Sequence, residues 1–395
     1  DIENVTHQDR NAYSEFVELL RQKLPQDKIV AVSVAANPYG YTQGWHGSYD
    51  YRRLGAAADY LMLMTYDEHY QGGSAGPVAS RAFQERSIQY ALRYVPAEKL
   101  VLGLPFFGRI WSDSGTLMQG HGVSETQIAT LIAGYRGKIA QDAATGSACA
   151  RITVTAADPK PVVNGVTLTS GTYTIWYESE ASKKGLLSLA EEYGLLGAGS
   201  WSLGQEDTRV WDYYSLWLNG WTFDDAQGHW AVPYIIDAAE QGSMTGLSDT
   251  RFGPDLTLTR GEAAVVLCRL AGLSPEDSAP AFSDLAGHWA AGYVQAAYES
   301  GLVSGIGGGR YAPDAPVSRQ EIAVMLDRAR PGLGAPSQPN PFPDLDPAAH
   351  PWSYEAVLRL WAAGVVSGGP DGTFRPEASV SRAELSVMLS KLPEA

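Results

Sequence analysis

Cysteine is nearly missing from this chain of 395 residues: there are two, Cys149 and Cys268, in separate segments. Neither a disulfide framework nor a cysteine-bound metal cluster is implied. No apolar run is long enough to span a membrane. Positive charge is scarce, with 29 Lys and Arg against 44 Asp and Glu and a net charge of −15. That balance argues against nucleic acid or an anionic membrane surface as the main partner. The chain also opens without a Met, a signal peptide or a polar lead-in before Asp1. An N-terminally truncated sequence is the expectation, and the lack of a targeting segment then carries no information on compartment.

What is present is a globular composition, 45% hydrophobic, in a chain long enough for two or three domains. Eleven Trp and 21 Tyr supply flat faces that stack on sugar rings, although large cores also use aromatics. The first three residues, Asp1-Ile2-Glu3, carry two carboxylates two positions apart. On a strand such residues share a face, and paired carboxylates push one another toward holding a proton. A retained proton is what a general acid needs.

Helical periodicity over 7–24, with Tyr13, Phe16, Val17, Leu20 and Leu24 on one side, ends at Pro25. Residues 29–36 (IVAVSVAA) read as a strand buried on both faces. A short helix over 50–58, a strand over 60–66 ending at Asp67, a helix over 81–94 and a strand over 100–105 follow. Residues 112–172 break the rhythm. A helical piece near 125–134 and β-like pieces near 151–155 and 172–177 predict an insertion of α+β character. Helix 181–193, strand 197–202 and helix 206–218 resume the alternation. Buried strands alternating with helices predict a parallel sheet with crossover helices. Four units, counting a strand end at Asp1, make about half of an eightfold β/α barrel.

From Trp221 the pattern changes and repeats. Phe223-x-Asp225, His229-Trp230 and Thr259-Arg260-Gly261-Glu262 recur as Phe282-x-Asp284, His288-Trp289 and Ser318-Arg319-Gln320-Glu321. They recur again as Phe342-x-Asp344, Trp352 and Ser381-Arg382-Ala383-Glu384, with identical Trp-to-Arg spacing. A period of about sixty residues marks internal repeats. Each unit reads as two helices around a Gly-rich loop, with Pro/Gly-rich stretches 272–281 and 331–341 between units. Ser/Thr-x-x-Glu predicts a capping box at each second helix. Arg260, Arg319 and Arg382 then fall at the first helical position, where the helix dipole disfavours a cation. A guanidinium beside free amides makes an anion site. An ion pair to a neighbouring repeat's acid is the other reading.

These repeats closely resemble S-layer homology domains over residues 221–392. The resemblance implies a mostly α, pseudo-threefold module of repeats 221–272, 282–330 and 342–392. It would attach an exported protein to a bacterial cell-wall polymer, with Arg260, Arg319 and Arg382 meeting an acidic sugar between repeats. Trp230, Trp289 and Trp352 are expected in the core. Gly261 and the missing His before Trp352 depart from the pattern. An extracellular, cell-surface location follows from this resemblance, with a signal peptide in the missing N-terminal part.

Active sites of such barrels lie at the carboxyl ends of the strands, where Asp1, Glu3, Met64, Tyr66, Asp67, Arg109 and Trp201 fall. Here residues 1–219 resemble the family 18 glycoside hydrolases. Asp1-Ile2-Glu3-Asn4 is similar to the end of that family's Asp-x-x-Asp-x-Asp-x-Glu strand, and Met64-Thr65-Tyr66-Asp67 to its Met-x-Tyr-Asp strand end. Pro105-Phe106-Phe107-Gly108-Arg109 resembles the seventh strand end and Gly199-Ser200-Trp201-Ser202 the eighth. Trp176-Tyr177-Glu178 and the compact insertion resemble the branch acting on bacterial walls and spore cortex.

The resemblance implies substrate-assisted, retaining hydrolysis without a metal or organic cofactor. Glu3 would be the acid, Asp1 would orient the substrate's N-acetyl group, and Tyr66 would hydrogen-bond its oxygen. Asp67 would support the site, Trp201 would floor the sugar, and Met64 and Arg109 would bind substrate. The implied substrate is an N-acetylglucosamine polymer, peptidoglycan first and chitin second. A non-catalytic, lectin-like binder and a wall-anchoring structural protein are the readings from other classes. Because the family's first three strands are absent, half a barrel would leave an open parallel edge. The expectation is that residues 1–219 alone are inactive or poorly folded, and that the repeats fold independently.

Overall fold

The computed structural model describes residues 1–115, 117–334 and 339–393. The chain divides into two compact units, Asp1–Gly220 and a second beginning at Trp221. In the first, α1 (Arg10–Lys23), β1 (Ala31–Ala35), α2 (Tyr51–Ala57), β2 (Tyr60–Met64), α3 (Arg81–Ala91) and β3 (Leu100–Pro105) alternate. Then come β4 (Phe107–Ser112), β5 (Gln119–Ser124), α4 (Glu125–Gly134), β6 (Lys138–Gln141), β7 (Ala148–Val154), β8 (Val162–Val163), β9 (Val166–Thr167) and β10 (Gly171–Tyr177). The unit closes with α5 (Glu180–Glu192), β11 (Gly197–Trp201) and α6 (Tyr214–Leu218).

Strands β1, β2, β3 and β11 form a four-stranded sheet in that order, parallel throughout. Val32, Val34, Leu61, Leu63, Leu102 and Leu104 are buried along it, which is why these strands read as near-continuous apolar runs. The backbones approach closely where β2 meets β3: a Cβ at Gly103 would lie 2.2 Å from the Leu63 carbonyl oxygen. The crossover helices start on side-chain caps, with Asp50, Ser80 and Ser179 accepting from Arg53, Phe83 and Ser182 amides.

Two expectations are corrected. Residues 1–6 lie outside any strand, and Asn4 at φ 60° turns the chain toward a 3-10 helix at His7–Asp9. The alternation that would set Asp1 beside Glu3 is therefore absent. A strand is held by its ladder, and here the Ile2 carbonyl instead accepts from the Tyr49 hydroxyl at 3.2 Å. The antiparallel sheet, ordered β5-β4-β10-β7-β6, begins at Phe107 rather than near 112. It has its own core, including Ile110, Val123, Ile128, Ile152, Tyr173 and Ile175. Phe107 to Ser112 looks like a continuation of β3 because one of its two partners, β10, is remote in sequence.

The second unit contains α7 (Val232–Glu240), α8 (Arg260–Leu270), α9 (Ala291–Glu299), α10 (Arg319–Ala329), α11 (Tyr354–Ala362) and α12 (Arg382–Ser390). All three capping boxes form, at Thr259/Glu262, Ser318/Glu321 and Ser381/Glu384. Helix α8 packs on α9, α10 on α11 and α12 on α7. Each repeat thus leans on the next and the last returns to the first. Backbone bridges Thr259–Pro316, Ser318–Ser379 and Thr257–Ser381 follow the same circuit. Of the expected linker 331–341, residues 335–338 lie outside the described residues.

One buried ion pair links α5 to α4: Lys183 Nζ lies 2.7 Å from Glu125 Oε2, and both side chains are almost fully buried. Removing one partner strands a charge in low dielectric, whereas replacing both by apolar groups does not. Lys183→Met is expected to destabilise the first unit by about 3–5 kcal/mol, read as a lower urea midpoint. The double variant Lys183→Met/Glu125→Leu is expected to recover most of that loss. A double variant as unstable as the single would show that the uncompensated charge is not the cause.

Candidate active site

The carboxyl ends of β1 and β2 open into a cleft of about 960 Å³ lined by Met64, Tyr66, Asp67, Glu68, Tyr70 and the loop from Pro38 to His46. Parallel strands all direct their carboxyl ends to one edge, which is where ligands bind in such sheets. Three sequence-predicted residues, Met64, Tyr66 and Asp67, meet there. Met64 is nearly buried, while Tyr66 stands edge-on to Phe107 with ring centroids 6.0 Å apart. Burial pushes the Tyr66 phenol upward from its ordinary value, and the negative charges of Asp67 and Glu3 push it further. It is a hydrogen-bond donor at neutral pH.

Asp67 takes positive φ, 62°, and its Oδ1 accepts from Arg109 Nε at 2.8 Å. Arg109 Nη2 lies 2.7 Å from the same oxygen, and Nη1 donates to the Gly120 carbonyl at 2.7 Å. Burial raises the Asp67 carboxyl, and Arg109 opposes that rise. Arg109 belongs to β4, so it braces Asp67 from the antiparallel sheet rather than standing free for substrate.

Glu3 and Asp1 are exposed. Glu3 is close enough for its charge to act on Tyr66 and on Tyr49. Burial, foremost, drives the Tyr49 phenol up to about 12. Trp201 ends β11 at the other edge of the sheet, is half exposed, and is not among the cleft's lining residues. Its peptide to Ser202 is cis. The cleft residues that sequence reasoning missed are Tyr39, Tyr41, Trp45, His46 and Tyr70. For all but Tyr70 the signal was available: a run of aromatics (NPYGYTQGWH) directly after a buried parallel strand.

In the second unit the arginines span the repeat junctions. Arg260 donates to the Tyr311 and Ser304 carbonyls at 2.8 and 2.9 Å and pairs with Glu321. Arg319 donates to Phe374 and Ser367 carbonyls at 2.8 and 3.1 Å and lies 3.2 Å from Glu384. Arg382 donates to Phe252 and Thr245 carbonyls at 2.8 and 2.7 Å, and among the described residues no carboxylate lies within ion-pair distance of it. The ion-pair reading thus describes Arg260 and Arg319. Burial lowers the Arg319 and Arg382 guanidinium pKa values from the ordinary value.

A groove of about 360 Å³ is lined by the buried Arg260 together with Glu321, Arg328 and Trp352. Trp230, Trp289 and Trp352 are 62%, 61% and 55% exposed, which corrects their expected place in the core. The inward position is taken by the next residue each time: Ala231, Ala290 and Ser353 are fully buried.

The glycosyl hydrolases family 18 pattern matches residues 1–206. The S-layer homology domain pattern matches residues 222–264, 281–323 and 341–386. The chain is 30% identical over 217 residues to the uncharacterized glycosylase YvbX of Bacillus subtilis (strain 168), covering 53% of this chain and 58% of that protein. It is 27% identical over 215 residues to the cortical fragment-lytic enzyme of the same organism, covering 53% and 47%. A chitinase crystal structure from Chromobacterium violaceum ATCC 12472 shares 31% identity over 55% of this chain and 62% of that one, with a TM-score of 0.46. The chain therefore spans about half the length of the curated relatives it matches.

Glu178, between β10 and α5, is a buried carboxyl outside the cleft. Burial pushes it up to about 7, while hydrogen bonds from Ser182, Ser147 and the Ala79 amide hold it back. Between pH 4.5, the ordinary value, and pH 7 the folded chain keeps a proton that the unfolded chain has lost. Stability contributed here therefore falls as pH rises through that window, by roughly 3 kcal/mol in all. Glu178→Gln is expected to flatten this part of the dependence of the first unit's urea midpoint on pH. Parallel wild-type and variant curves from pH 4.5 to 7 would rule out its titration there.

Proposed function

The chain belongs to the glycosyl hydrolases of family 18, followed by three S-layer homology repeats, and from that membership we propose that it is a cell-surface hydrolase of β-1,4 linkages in N-acetylglucosamine polymers. Peptidoglycan is the leading substrate, in keeping with the chain's similarity to a cortical fragment-lytic enzyme. The observation that carries the reading is the cleft at the strand ends, where the phenol of Tyr66, which feels the charge of Glu3, stands beside the carboxyl of Asp67 braced by Arg109.

In the proposed mechanism Glu3 protonates the glycosidic oxygen. The substrate's own acetamide oxygen attacks the anomeric carbon, the bond to the leaving sugar breaks, and an oxazolinium ion forms. Asp1 orients the acetamide and balances its positive charge. Tyr66, a phenol that stays protonated, donates to the acetamide oxygen. Asp67 supports the site and is itself held by Arg109. Met64 packs against the bound ring, and Trp201 floors it. Water then opens the oxazolinium ring with Glu3 as base, so configuration is retained. No metal or organic cofactor enters the scheme.

The four-stranded sheet is read as the C-terminal half of a (β/α)8 barrel over residues 1–219. The repeats, 221–272, 282–330 and 342–392, are read as a pseudo-threefold anchor. Their circuit of helix contacts supports this. In that anchor Arg260, Arg319 and Arg382 would meet an acidic wall polymer, with the exposed tryptophans as groove walls. Chitin is the second substrate reading, favoured by a cleft lining without Lys or Arg.

The test is product analysis by mass spectrometry on purified peptidoglycan and on chitin oligomers. It would use both this chain and a version extended to the length of its curated relatives. New N-acetylglucosamine reducing ends from peptidoglycan are expected, with Glu3→Gln losing about 10²–10⁴-fold in turnover while still binding. Chitobiose from chitin alone would select the second substrate. No product from either, with wall binding intact, would leave the anchor as the function.

A further inference from the structure

We propose that the outer face of α2 and α3 is a docking surface for an acidic polysaccharide, whose carboxylates meet the guanidinium groups of Arg52, Arg86 and Arg93. The inference takes its occupant from the wall-surface reading above and places it outside the cleft. Among the described residues, every other arginine of the first unit lies within ion-pair distance of a carboxylate. These three do not. The nearby acids are engaged elsewhere: Asp50, which caps α2, pairs with Arg10, and Glu85 of α3 accepts from the Tyr193 hydroxyl.

Each of the three lies instead over a phenol ring. Arg86 is 5.2 Å from the Tyr39 centroid, Arg52 is 5.5 Å from that of Tyr94, and Arg93 is 5.9 Å from that of Tyr90. At such distances the ring quadrupole attracts the cation without neutralising it. Arg86 also donates to the Tyr39 hydroxyl at 3.1 Å. Arg52 and Arg93 are exposed and make no hydrogen bond among the described residues. Their donors are open to a ligand.

The three pairs form one surface. Tyr90 stands edge-on to Tyr94, with centroids 5.3 Å apart, and to the buried Tyr51 at 5.4 Å. A Cβ at Gly40 would lie 3.6 Å from the Tyr90 ring, and Gly40 adjoins Tyr39. The row thus runs from Tyr94 through Tyr90 to Tyr39, which lines the cleft. Tyr and Arg are the residues in which contact surfaces are enriched.

Charge and shape select the occupant. A guanidinium fork matches a carboxylate, and the phenol rings between the arginines offer apolar surface to a sugar. The chain as a whole is acidic, with a net charge of −15, and a bound polymer feels charges within about 8 Å. A polymer with a phosphate on every unit would meet carboxylates of the protein beyond the three arginines. A glycan with widely spaced carboxylates places its charges on the arginines and neutral rings between them. The cleft, lined without Lys or Arg, is then left to the uncharged stretches of the same strand.

Calorimetry of the whole chain with a hyaluronan oligosaccharide, in which alternate sugars bear a carboxylate, tests this. The double variant Arg52→Gln/Arg93→Gln is expected to bind about fivefold more weakly with an unchanged thermal midpoint, the gap closing with added salt. Hydrogen exchange of the wild-type chain is expected to slow across α2 and α3 when the oligosaccharide binds, a readout that needs no variant. Wild-type affinity in the double variant, or protection confined to the cleft or the repeats, overturns the surface. Tighter binding of polyphosphate than of the oligosaccharide, or equal binding of uncharged dextran, overturns the choice of a carboxylate-bearing glycan. No binding by the wild-type chain overturns the proposal as a whole. None of these readouts involves bond cleavage, so the hydrolase reading is decided separately, by the products from peptidoglycan and chitin.

Discussion

A backbone amide or carbonyl taken out of water must find a partner, and both units are arranged around that requirement. In the first, the buried strands satisfy it with parallel ladders, and Gly103 keeps β3 close enough to β2 for the neighbouring ladder to form. In the second, little sheet is available, and side chains take over. The arginine of each repeat donates to two loop carbonyls of the next, and the capping glutamates close the helix starts. Arg260 and Arg382 are buried charges for this reason. Planar guanidinium groups reach several acceptors at once, which a lysine could not do.

The same requirement shapes the cleft. Strands that run in one direction end together, so the loops after β1 and β2 share one edge and their side chains converge. Burial at that edge keeps the Tyr66 phenol protonated and makes the Asp67 carboxylate depend on Arg109. Arg109 comes from the antiparallel sheet, so the insertion is tied electrostatically to the site it flanks. The N-terminal segment has no ladder, and its Ile2 carbonyl accepts from the Tyr49 hydroxyl, which in turn accepts from Trp45 of the cleft lining.

Much was legible in sequence because the physics was local. Alternating buried runs and amphipathic helices named β1 to β3, β11 and the helices between them to within a few residues. Helix α4 matched the expected 125–134. The capping boxes were legible because Ser/Thr and Glu three residues apart interact within one turn. The Met64-Thr65-Tyr66-Asp67 strand end was readable for the same reason, since its residues sit together in the chain.

Three things needed tertiary structure. The antiparallel sheet begins at Phe107 because β4, besides its hairpin with β5, pairs with β10 about sixty residues along the chain, and no local pattern records pairing at that distance. The tryptophans before each first helix lie outside because the small residue after each one faces inward, a choice that hydrophobicity alone does not make. The aromatic loop of Tyr39 and Tyr41 joined Tyr66 only when β1 and β2 became neighbours. The sequence by itself determined the elements, their caps and the repeat, all set by interactions within a turn or a strand. Tertiary structure decided which carboxylate meets which arginine and which aromatic meets water, because charge pairing and burial depend on distance in space.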